Sequence, residues 1–232
     1  MRLRLRRRGL RLTLPVLVAV SVVTLVACGG NDEETAAPLP VAQRFLTAED
    51  APDSKPDPAE KRQTTVKFGE FITALGDFSI NPDKEEMTAV FKEAGFHGAG
   101  VDARFYGETH APTSPHVFSS FIELDSEDGA TSALDWLETD QKKACRMSCA
   151  VQRSEFDVSD IPQARGVHRS ATAEDVERLG NEHEQPFDGY WIGFNVGPIV
   201  YTVNLQGPPG SVSEEQAVEI ASAYHDRLTG SS

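Results

Sequence analysis

The chain has 232 residues, 39% of them hydrophobic and 25% charged, with a formal charge of −14 at pH 7. That length is enough for one domain with a real core, and no low-complexity block or short repeat interrupts it. The acidity opposes binding to nucleic acid phosphates and to anionic lipid surfaces.

The basic charge is unevenly placed. Arg2, Arg4, Arg6, Arg7, Arg8 and Arg11 open the chain with no acid among them, and an apolar run from Leu12 to Ala27 follows. A basic stretch before an apolar one is the layout of a secretory signal, and this run falls short of the roughly twenty residues of a permanent membrane helix. It ends in Leu25-Val26-Ala27-Cys28, which resembles the bacterial lipobox. The resemblance implies that residues 1–27 are a signal peptide, that cleavage falls before Cys28, and that Cys28 carries the lipid. The competing reading is an uncleaved membrane helix ending at a chance cysteine. Arg7-Arg8-Gly9-Leu10 also resembles a twin-arginine signal, but Arg11 stands where that signal prefers an apolar residue, so both export routes stay open.

Without the six leader arginines, 22 basic residues become 16 against 36 acids, a charge of −20. Each buried methylene of a lipid contributes about 0.8 kcal/mol, and two or more chains anchor a protein stably. The membrane contact is therefore expected at the lipid of Cys28 alone, on the outer face of the cytoplasmic membrane, with no nucleic acid partner.

Next comes Gly29-Gly30-Asn31-Asp32-Glu33-Glu34-Thr35-Ala36-Ala37-Pro38-Leu39-Pro40, too small and polar to bury a core. Residues 28–64 read as a flexible tether reaching roughly 20 to 35 Å. Within it, residues 41–50 offer a docked helix with Thr47 as its N-cap. The globular domain is expected over 65–232.

Phe68, Phe71, Ile72 and Leu75 predict a short helix ending at Gly76. Asn81-Pro82-Asp83 predicts a second, capped by Asn81 and stopped at Gly95. Strands are expected at 101–106 and 117–124, then a helix from about Asp128 carrying Ala130, Ala133, Leu134 and Leu137 inward. Residues 166–169 suggest a short strand. Tyr190 to Val196 and Ile199 to Leu205 alternate as a β-hairpin around Gly197-Pro198. Ser213-Glu214-Glu215-Gln216 is a capping box before a closing helix that presents Val218, Ala221, Tyr224 and Leu228. The sum is an α+β domain, helices packed on an antiparallel sheet. The lipobox, the Leu46 to Pro52 opening and the closing hairpin and helix are similar to actinobacterial lipoproteins of uncharacterised function. Some of that group resemble extracytoplasmic sensor domains of bacterial Ser/Thr kinases.

Cys145 and Cys149 are expected to form a disulfide in an oxidising compartment; a redox dithiol or half a metal site are the alternatives. Of six histidines, none has a zincin spacing, but His110 and His116 flank a Pro-bearing loop that can bring them together. With Asp102 or Glu108 they make a candidate metal site. Trp191 lies on the hairpin face opposite Tyr190, Ile192 and Phe194: core if a helix covers it, a binding surface if none does. There is no nucleophile elbow, phosphate loop or EF-hand, and no cofactor is implied. The expected function is a lipid-anchored binding or sensor domain of the cell envelope, facing an unknown small ligand or envelope protein. An envelope enzyme such as a metal-dependent hydrolase, and a structural partner in an envelope complex, are the alternatives.

Overall fold

The structure, a computed structural model, describes residues 39–58, 62–78, 83–108, 110–111, 113–143, 151–179 and 185–231. Cys28, Cys145 and Cys149, with the lipid and disulfide expected of them, lie outside these residues. So do Asn81 and Pro82. Among the described residues no helix is long and apolar enough to cross a membrane.

The elements in chain order are β1 (Ser54–Pro56), β2 (Gln63–Thr65), α1 (Phe68–Phe78), α2 (Lys84–Glu93), β3 (Gly98–Tyr106), β4 (His116–Glu123), α3 (Glu127–Lys142), β5 (Gln152–Phe156), β6 (Arg165–Ala171), α4 (Ala173–Leu179), β7 (Phe187–Val196), β8 (Ile199–Gly207) and α5 (Glu214–Thr229). The strands form one antiparallel sheet in the order β1-β3-β4-β8-β7-β6-β5, with β2 also on β3. This is the α+β architecture that the alternation and helical periods imply.

Period-two alternation gives each central strand two different faces. On one face Phe121, Ile192, Phe194, Tyr201, Val203 and Leu205 meet Ala217, Ile220, Ala221, Tyr224 and Leu228 of α5. On the other, Ile122, Val167, Trp191 and Val200 meet Phe71 of α1, Met87 and Phe91 of α2, and Leu134, Trp136 and Leu137 of α3. The two strand-then-helix segments, β4–α3 and β8–α5, therefore send their helices to opposite faces of the sheet. Ser126 and Ser213 cap α3 and α5, their hydroxyls accepting from the N–H groups of Gly129 (3.1 Å) and Gln216 (3.2 Å). The helix over 84–93 is capped by Asp83 instead of Asn81, its carboxylate accepting from Glu85 and Glu86 N–H.

The chain joins the fold well before residue 65. Phe45, Leu46 and Ala51 are buried in the α5 core, and β1 and β2 pair with β3. Much of the stretch that composition assigns to a tether is thus part of Pro38–Ser232, one compact unit. The cause is a few apolar anchors among polar residues, held by long-range contacts. The expected docked helix is a 3-10 turn at Val41–Gln43, and Thr47 caps the turn after it. Its N–H (2.7 Å) and hydroxyl (2.9 Å) both reach Asp50 Oδ2. Arg227 of α5 closes the clasp: its Nε donates to Asp50 Oδ1 at 2.8 Å, and its other nitrogens to the carbonyls of Gln43 (2.7 Å) and Phe45 (2.9 Å). Tyr224 donates its hydroxyl to Arg44 O, and burial, more than any charge nearby, holds that phenol well above its ordinary pKa.

Candidate functional site

Between the sheet and helices α1 and α3 lies a cavity of about 430 Å³, within the size range of small-molecule sites. Its floor is the helix-covered face of β3, β4, β8, β7 and β6. Register dictates which side chains reach it: Ser120 stands opposite Thr202, and Asn204 opposite both Phe118 and Trp191. Apolar walls come from Phe71, Phe118, Ile122, Leu137 and Trp191, and a polar stripe from Ser120, Thr202, Asn204, Gln206 and Arg169. Ser120 and Thr202 hydroxyls bond to each other at 2.7 Å.

Arg169 is the cation of that stripe, and the buried Asp140 of α3 lines the same cavity. Arg169 sits on β6, an interior strand, facing the same side as Val167 and Trp191. One terminal nitrogen donates to Asn204 Oδ1 at 2.9 Å, while its buried Nε has no hydrogen-bond partner among the described residues. Burial lowers its pKa from 12.5 to about 10, helped by repulsion from Arg153 and opposed by Asp140, so it stays cationic at neutral pH. A cation with an unmet donor beside apolar walls is arranged to receive an acceptor, and an anionic one most strongly.

Trp191 is 5% exposed and packs in the core under α3 while forming part of the cavity wall. It presents no flat surface patch. Gly193, two residues on, makes its place: a Cβ there would stand 2.5 Å from the indole Cη2 and 2.7 Å from Leu134 Cδ1. Gly193→Ala is expected to cost about 1–3 kcal/mol by overpacking. It should also shift the tryptophan emission, which urea melts followed by fluorescence will show together.

His110 and His116 do converge, with ring centroids 5.5 Å apart. Their carboxylate partner is neither Asp102 nor Glu108 but Asp57: His110 Nε2 is 3.2 Å from one of its oxygens and His116 Nε2 3.3 Å from the other. Asp102 instead points to the opposite face of β3, paired with Arg62 at 3.0 Å. Asp57 sits between two prolines in a stretch that composition assigns to the tether, so nothing in the sequence paired it with the histidines. Arg169 shares the face of Val167, but an arginine closing a short strand over 166–169 reads as a solvent-facing end, so nothing local marks it as buried.

No protein family and no curated protein matches this chain. Among solved structures it is similar to the extracellular domain of PknH from Mycobacterium tuberculosis, with a TM-score of 0.47 and 11% identity, over 83% of this chain and 93% of that one.

Proposed function

We propose that the chain is a lipid-anchored, extracytoplasmic binding or sensor domain whose cavity takes a small amphiphile. The apolar body lies against Phe71, Phe118, Leu137 and Trp191, and an anionic end meets Arg169. The carrying observation is the buried Arg169 Nε, without a hydrogen-bond partner among the described residues, at the polar end of an apolar cavity. The leader and Leu25-Val26-Ala27-Cys28 support the anchor and the outer face of the cytoplasmic membrane as its place. An acidic surface and a lipid at Cys28 together leave the domain free to sample ligands beside the bilayer.

Native mass spectrometry of the chain recovered from its own membranes in mild detergent tests this. A diacyl or triacyl mass increment on Cys28, absent in Cys28→Ser, and a retained anionic small molecule are expected. An unmodified, unliganded polypeptide is the contrary result.

The convergence of His110 and His116 on Asp57 favours a second reading, a metal-dependent envelope hydrolase. The binding reading ranks first because the cavity is lined by other residues, and none of those three is among them.

A further inference from the structure

We propose that Asp57, His110 and His116 form a binding site for one divalent cation of the zinc class, independent of the cavity's ligand. Three stretches of chain, each fixed separately by the fold, supply the donors. Asp57 follows β1, and its N–H donates to Ala103 O of β3 at 2.9 Å. His116 opens β4, opposite Phe105 of β3 and Gln206 of β8. His110 lies in the β3–β4 connection, where Ser114 N–H donates to Ala111 O (2.9 Å) and Ala111 N–H to Ser114 Oγ (3.2 Å). The donors are thus positioned before any ion arrives.

The separations are those of ligands sharing an ion. His110 Nε2 lies 3.2 Å from Asp57 Oδ1 and His116 Nε2 3.3 Å from Oδ2, so the carboxylate straddles the two rings, and one donor atom from each residue lies within 4.8 Å of the others. Two donors about 2.0 Å from zinc at a tetrahedral angle stand about 3.3 Å apart. Two imidazole nitrogens and a carboxylate oxygen are a donor set that zinc-class ions accept. The Asp57 side chain is 2% exposed, and a cation held there offsets the high cost of keeping a carboxylate out of water.

Aromatic neighbours hold the rings in place. Phe105 meets the His110 ring edge-on with centroids 5.4 Å apart, and Phe118 stacks on His116 at 6.0 Å. The imidazoles lie at 81° to one another. Such outer contacts orient ligand histidines as hydrogen bonds do elsewhere. Three protein donors also leave a coordination position for water or an outside group. His116 adjoins Phe118 along β4 and Gln206 across the ladder, and both line the cavity. The ion would therefore stand at the cavity's end, tying β1, the β3–β4 connection and β4 together.

The test is a Zn²⁺ titration of the full chain in detergent, with metal content measured after dialysis. One ion per chain is expected, lost in both His110→Gln and His116→Gln, with a melting temperature that zinc raises in the wild type alone. Zinc-edge X-ray absorption on the wild type needs no variant, and two imidazoles with oxygen are its expected shell. Absence of a bound ion, an ion that survives both substitutions, or a sulfur shell would overturn the proposal. The triad would then be an ion-pair cluster only.

Discussion

Arg227→Ala is expected to destabilise the domain by about 3 kcal/mol, and Asp50→Ala by a similar amount. The Asp50 side chain is 2% exposed, and Arg227 meets both its oxygens, at 2.8 and 3.0 Å, from a side chain 24% exposed. Removing the guanidinium leaves a buried carboxylate facing, among the described residues, the Thr47 donors alone, and frees the carbonyls of Gln43 and Phe45. The segment 43–51 should then lift from α5, exposing Phe45 and Leu46. Arg227→Lys recovers part of the loss at most, because one ammonium cannot span four acceptors in the plane of a guanidinium. Urea melts give the magnitude, and hydrogen exchange over 43–51 gives its place. By contrast Lys67–Glu70 pairs two exposed side chains, and Lys67→Ala should leave the melt unchanged. An Arg227→Ala melt that overlays the wild type would show that the N-terminal segment is held by its apolar anchors alone.

Arg169→Met is expected to separate stability from binding. In the unliganded protein Arg169 is destabilised by burial and by Arg153, and its Nε makes no hydrogen bond with the described residues. Methionine fills similar volume without that cost, and this offsets the loss of the cation beside Asn204 and Asp140, so the unliganded domain should keep its stability to within about 1 kcal/mol. An anionic ligand, however, loses a charge-assisted hydrogen bond worth about 2 kcal/mol, or roughly 30-fold in affinity. A residue that gives affinity without giving stability is one retained for function. A purely structural Arg169 predicts the reverse: a loss of about 3 kcal/mol or more on substitution, with ligand affinity unchanged.

What the sequence made legible follows from how local each signal is. The β7–β8 hairpin alternates over its whole length around a Gly-Pro turn, and α5 begins at a capping serine. Both are dictated by neighbours in the chain. The strands β1, β2 and β5 are short, polar and without alternation, and they are strands because β3 and β6 offer them hydrogen bonds. Pro56 is tolerated because β1 lies on an edge. The same distinction governs the site. His110 and His116 are close in sequence and could be paired by inspection, whereas Asp57 reaches them through the β1–β3 pairing. The cavity's polar stripe needs the register of β4, β8, β7 and β6 at once, so its members read singly as solvent-facing residues.

Arg169 is expected to receive the anionic end of an apolar ligand. Calorimetric titration with dodecanoate and with dodecanol, into the wild type and Arg169→Met, measures it most directly. Dodecanoate should bind the wild type with one site per chain, about 30-fold more tightly than it binds Arg169→Met, with dodecanol nearly indifferent to the substitution. Dodecanoate binding equally well to both proteins, or to neither, would rule out that role for Arg169.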